Sequence, residues 1–197
     1  MSDQTTSERL LSAAERILVE RGVTGLSVRK VGEQAGVNPT LVTYHFGTVE
    51  NLLVELARRN LDHILAKWQT ISPDMEPGLL LETWLLPMQR EACFTLGGRA
   101  LAVLDEIAAH GEGEARRLVN DAMETFVPVL REAMAPHFPH LSPDELRARL
   151  RFISGAVLGP PPRIDGAPRL PGGRALDDPS FLLAFARAAL AGQAAAD

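Results

Sequence analysis

The stretch Ser27-Val28-Arg29-Lys30-Val31-Gly32-Glu33-Gln34-Ala35-Gly36-Val37-Asn38-Pro39-Thr40-Leu41-Val42-Thr43-Tyr44-His45-Phe46-Gly47-Thr48 spells two short helices joined by a sharp turn. Ser27 suits an N-cap, because a serine oxygen can accept from the orphan N–H groups of a first helical turn. Val28, Val31 and Ala35 recur on one helical face, so the first short helix has a side to bury. Gly36 ends it: glycine takes the positive φ that reverses the chain, and Val37 can plug the angle between the helices. Asn38 and Pro39 restart the chain as a capping residue followed by one pre-set for a first helical position.

Val42 and Phe46, four apart, are expected to point inward. Pro39, Thr40, Leu41, Thr43 and Tyr44 then form an outer face. Their hydroxyls can bond phosphates or base edges, while Leu41 and the threonine methyls can touch thymine methyls in a major groove. The pattern reads as a DNA-reading unit. The competing reading is a helical hairpin inside an ordinary core, against which cap, turn and restart agree at every position.

The run from Leu26-Ser27 to Phe46-Gly47-Thr48, with Ala35-Gly36-Val37, Tyr44-His45-Phe46 and then Glu50 and Leu52, resembles the N-terminal domain of the tetracycline-repressor (TetR) family of bacterial transcription regulators. The resemblance covers about the first quarter of the chain. It implies that Arg29 reaches a base or phosphate and His45 a phosphate. The expected DNA contacts are then Arg29, Lys30, Asn38, Pro39 and Thr40 on the approach, followed by Leu41, Thr43, Tyr44, His45 and Thr48. One position departs from the family pattern: Val49 stands where a backbone-contacting lysine is usual.

The 197 residues suffice for one sizeable domain or a small one beside a larger one, and the 46% hydrophobic content can build a core. The net charge of -5 argues against a protein that coats nucleic acid indiscriminately. The first 50 residues hold five basic groups, Arg9, Arg16, Arg21, Arg29 and Lys30, against six acids, a balance of -1. Binding must therefore depend on where charges and helix N-termini stand.

The single cysteine, Cys93, rules out an internal disulfide and any zinc site built on cysteines. No apolar run reaches the roughly 18 residues of a membrane span, and the first residues lack the features of a signal peptide. A cytoplasmic location is expected.

Along the chain, a polar start leads into a helix from near Ser7 to Arg21, with Leu10, Leu11, Ala14, Ile17 and Leu18 on one stripe and Gly22 at its end. With the two short helices it makes a three-helix domain, residues 1–48. Glu50 to Trp68 reads as a long helix leading onward, and Ile71 to Gly78, with two prolines, breaks it. The remainder, taken with that helix as a domain of residues 49–197, reads as all-α. Helices are expected at 78–92, interrupted near Pro87, then at 94–109, 112–135, 143–158 and 179–194. The Pro- and Gly-rich run from Gly159 to Gly173 is expected as an exposed loop.

Trp68, Trp84, Met88 and Phe94, with Leu101, Met123 and Phe126, are bulky apolar residues on successive helices. The family resemblance implies a small-molecule cavity among them; plain core is the alternative. Pro128 should kink its helix and free a carbonyl. Gln89, Arg99, Asp105, His110 and Asn120 are polar candidates for orienting a ligand, or simply solvated faces.

Apolar faces on the last two helices suggest a second copy: Leu146, Leu150, Ile153 and Val157 on one, Phe181, Phe185 and Ala188 on the other. Family members dimerise through such a helix pair. One reading helix also makes too few base contacts for specificity, whereas a twofold dimer reads two half-sites.

Enzymatic motifs are absent: no His-Glu-x-x-His, Gly-x-Ser-x-Gly, Gly-x-x-x-x-Gly-Lys or Gly-x-Gly-x-x-Gly occurs. His137 and His140 flank Phe138-Pro139 and read as a loop after a helix. The expectation is an all-α protein, an N-terminal three-helix helix-turn-helix DNA-binding domain followed by a helical ligand-binding and dimerisation domain. It acts as a dimeric regulator without metal or cofactor, released from operator DNA by a small apolar or amphipathic effector. The segment from Phe94 to Arg151 is distantly similar to members that respond to fatty acyl or other lipophilic compounds. The alternative is a helical small-molecule binding protein whose DNA function has lapsed.

Overall fold

The computed structural model describes residues 5–90, 100–158 and 178–193, which are helical with no strand among them. They divide into two compact units, one of residues 5–62 with 102–122, the other of 63–90 and 100–101 with 123–158 and 178–193. This partition adds part of the later helices to the N-terminal helices, whereas the sequence motif alone suggests a division after Thr48.

In the first unit, α1 (Thr6–Arg21) opens on a capping box that extends the expected start by one residue. The Glu8 N–H donates to Thr5 Oγ1 at 3.2 Å, and the Thr5 N–H donates to Glu8 Oε2 at 2.8 Å. The stripe Leu10, Leu11, Ala14, Ile17 and Leu18 is buried. At about 1.5–3 kcal/mol for each large side chain, this burial is the main term holding α1 in place. Gly22 ends the helix at φ +69°, and a single 3-10 turn (Val23–Gly25) leads on.

Helix α2 (Val28–Ala35) is capped by Ser27, whose Oγ accepts from the Lys30 N–H at 3.2 Å. Gly36 sits in the left-handed region at φ +66°. Its N–H bonds Glu33 O while the Val37 N–H bonds Gly32 O, a paired closure that satisfies two terminal carbonyls. Helix α3 (Thr40–Phe46) follows Pro39, with Asn38 Oδ1 accepting from the Thr40 N–H at 3.0 Å. Val42 is fully buried; Phe46, expected beside it in the core, is only half-buried.

Helix α4 (Val49–Trp68) is continuous, and Thr48 caps it by accepting from the Asn51 N–H at 3.1 Å. After Ile71, which is buried, Glu76 accepts from the N–H of Gly78 at 2.8 Å to start α5 (Pro77–Arg90). Pro87 does not interrupt α5 within its described length. Helix α6 (Ala100–His110) and helix α7 (Gly113–Met134) follow, and α7 continues through Pro128. The expected beginning of α6 at residue 94 and the loop from Gly159 to Gly173 lie outside the described residues.

A 3-10 turn (Ala135–His137) leads to α8 (Pro143–Leu158), and α9 (Pro179–Ala191) closes the described chain. In the second unit α5 packs against α8 and α9, which also pack on each other. Arg149 secures the end of α9: it pairs with Glu145 at 2.6 Å and donates to Ala189 O at 2.6 Å and Gly192 O at 3.0 Å. Such a fork satisfies terminal carbonyls that otherwise have no intrahelical partner.

Candidate nucleic-acid interface

The angle between α2 and α3 depends on an absent side chain. A Cβ at Gly32 would lie 2.6 Å from Pro39 Cα, so only glycine lets the two helices meet this closely. The only signal of this in the sequence is an isolated glycine inside the helical pattern of α2. Arg9 of α1 adds a tie that spacing does not reveal: its Nη2 donates to Ala35 O at 2.8 Å from 26 residues away.

Held this way, α3 turns Thr40, Thr43, Tyr44 and His45 outward. Tyr44 is 81% exposed, so its whole ring and hydroxyl are open to an outside partner. Its ring meets the His45 ring edge-on at 5.1 Å. Pro39 and Leu41 are half-buried, so their free edges complete this face but do not dominate it. Asn38 is exposed with its oxygen engaged by Thr40, and its amide nitrogen remains for an outside acceptor. Thr48 is also exposed, although its oxygen serves first as the cap of α4.

Beside α3, Arg29 and Lys30 project from the first turn of α2 and are exposed. Arg29 Nε donates to Glu33 Oε1 at 2.7 Å. That hydrogen bond, with the negative charge behind it, raises the Arg29 pKa. The cationic supply is therefore thin. Arg9 Nη2 is engaged by Ala35 O and Arg29 Nε by Glu33, while Lys30 has no ion-pair partner among the described residues.

The residues expected to line an effector site fall in the second unit and are mostly core. Trp68, Trp84, Met88, Leu101 and Phe126 are buried, and Met123 is half-buried. The Trp68 and Phe126 rings stack at 3.7 Å and 12°, and the Trp68 indole N–H donates to Trp84 O at 3.0 Å. Phe94, Cys93 and Arg99 lie outside the described residues. Among the described residues no group of three His, Cys, Asp or Glu side chains can hold a metal ion, and no helix is long and apolar enough to cross a membrane.

On the last two helices burial redraws the expected subunit face. Leu146, Leu150, Ile153 and Val157 are closed off within their own chain, because α8 turns that stripe toward α5 and α9. The outward side of α8 is instead Phe152, 79% exposed, with Gly155 and Ala156. On α9, Phe185 and Ala188 are outward as expected, and Phe181 is half-buried. A helical period of 3.6 residues gives two apolar stripes here, and only the packing partner tells the inner from the outer.

Residues 10–56 match the family model described as bacterial regulatory proteins, tetR family. The fold extends the likeness over nearly the whole chain. PfmR, a TetR-family transcriptional regulator from Thermus thermophilus, is 17% identical with a TM-score of 0.69, covering 93% of this chain and 98% of its own. AibR, solved in complex with isovaleryl coenzyme A and operator DNA, is 19% identical with a TM-score of 0.68 over 94% and 98%. SCO3833, a TetR-family member from Streptomyces coelicolor, is 20% identical with a TM-score of 0.65 over 98% and 94%. No curated protein sequence matches the chain. The match to the tetR-family model thus lies in the N-terminal helices, and the described chain has the fold of TetR-family transcriptional regulators.

Proposed function

We propose that the protein is a dimeric, ligand-responsive repressor that reads a twofold operator with the outer face of α3 and leaves it when a small apolar or amphipathic molecule binds. The observation that carries the reading is Tyr44, exposed beside Thr40 and Thr43 on a helix fixed by the Gly32–Pro39 approach. Arg29, Lys30 and His45 supply charge or polarity at its margin, with Asn38 and Thr48 at either end.

Two copies joined through the outward residues of α8 and α9, Phe152, Phe185 and Ala188, place two reading helices on successive half-sites. The effector is taken up around Trp68, Trp84, Met88, Leu101, Met123 and Phe126. AibR, which shares the fold, was solved with an acyl thioester and operator DNA, and this supports a lipophilic acyl compound as the effector class. Helix α4 carries Trp68 at one end and begins next to Thr48 at the other, so a ligand that favours a different α4 disposition lowers operator affinity.

The test is binding to a duplex selected from a random library, measured across a salt series. Thr43→Ala with Tyr44→Ala should abolish the preference for the selected duplex over random sequence, about a tenfold loss or more, while leaving helicity and dimerisation unchanged. Operator binding that survives this double change would show that another element reads the DNA.

A further inference from the structure

The contact between Arg29 and Glu33 stands at the margin of the candidate DNA-reading face. The two side chains are 83% and 57% exposed, so the pair stands in solvent and is not part of the core. Exposed pairs at this spacing add little to folding, and the bond is not explained by stability. Its geometry is selective. Glu33 Oε1 takes Nε of Arg29 at 2.7 Å, which leaves the two terminal nitrogens, Nη1 and Nη2, as the donors still open to an outside acceptor.

An arginine read through its terminal nitrogens can donate two parallel bonds to the O6 and N7 acceptors of guanine. On a duplex that offers this pair, Arg29 can keep Glu33 and satisfy both donors. On a duplex that does not, the guanidinium has only phosphate to turn to. Phosphate accepts the same two terminal donors, so the cost arises where reaching it swings the guanidinium away from the base edge and off Glu33, whose carboxylate is then left unneutralised near the DNA backbone, where like charges repel. The first 50 residues have a balance of -1, so one uncompensated acid weighs heavily in a grip this weakly charged.

We propose that Glu33 is a positioning residue that sets DNA specificity: it orients Arg29 for end-on reading of a guanine and penalises duplexes on which Arg29 would bind phosphate instead. The inference rests on the proposed reading of DNA by α2 and α3.

Glu33→Gln, Arg29→Gln and the double variant test it, each measured against a duplex selected by the wild-type chain and against a random duplex of equal length. Glu33→Gln should raise affinity for the random duplex about fivefold and change affinity for the selected one less than about twofold, so that discrimination falls. In the Arg29→Gln background the same change should leave discrimination untouched. Equal gains on both duplexes in the wild-type background would reduce Glu33 to a plain charge and overturn the proposal. So would a loss of discrimination that persists without Arg29. Failure of the underlying reading is visible separately, since the wild-type chain would then enrich no sequence from the library, which overturns both.

Discussion

The side chain of Glu106 on α6 accepts a hydrogen bond from the backbone N–H of Val23 at 2.9 Å, across 83 residues of chain. The bond meets a part-buried N–H in the turn that follows α1, a group no helix satisfies. Gly22 makes room for it: a Cβ there would stand 2.6 Å from the same carboxylate oxygen, Oε1. The other oxygen, Oε2, lies 3.1 Å from His110 Nδ1. Glu106→Ala should cost about 1–3 kcal/mol in urea unfolding, because it strands the Val23 N–H, whereas Glu106→Gln keeps an acceptor and should cost less. Equal losses from the two would show that the carboxylate charge matters more than the bond.

Gly32→Ala brings a methyl group against Pro39 Cα, a backbone atom that cannot swing aside. The expected cost is about 1–3 kcal/mol of stability by thermal unfolding. Operator affinity should fall further than stability alone explains, because the angle of α3 must open. An Ala variant that binds as well as the wild type would mean that the close approach is incidental to reading.

Trp68→Phe retains a ring to stack on Phe126 but removes the N–H that meets Trp84 O. It should destabilise the chain by about 1–3 kcal/mol, and Trp68→Ala by about 3–5 kcal/mol, measured by denaturant titration. The difference between them reports the stacked ring. If the two variants are equally stable, a ring at this position contributes nothing to stability, whether by stacking or by filling space.

Phe152 and Ile153 are neighbours with opposite surroundings, the first 79% exposed and the second 1%. Phe152→Glu should leave the fold within about 0.5 kcal/mol and shift sedimentation equilibrium toward monomer. Ile153→Ala should cost about 2–5 kcal/mol as core is lost. A Phe152→Glu protein that remains dimeric would place the subunit contact elsewhere.

Much of the N-terminal unit was legible because its signals are local. Ser27, Gly36, Asn38 and Pro39 act on groups within a few residues of themselves, and each stands where cap, turn and restart require it. The boundaries of α8 were legible for the same reason. Pro87 misled, since the carbonyl it deprives of a partner need not end a helix that tertiary packing supports. The stripe on α8 misled for a different reason: periodicity reports which residues share a face and says nothing of what that face meets.

The sequence by itself determined the helical class, the turn between α2 and α3 and three of the residues that α3 turns outward, Thr40, Thr43 and Tyr44, since helix propensity, capping and 3.6-residue spacing are properties of a few consecutive side chains. Only the tertiary structure decided that Gly32 exists for Pro39, that Arg9 closes α2 at Ala35, that Glu33 occupies Nε of Arg29, and that Phe152 faces out while Ile153 faces in. Three of these depend on groups brought together by the folded backbone. The fourth, Arg29 with Glu33, lies at helical spacing in the sequence, but which nitrogen is taken and which remain free is a matter of side-chain geometry that spacing does not contain.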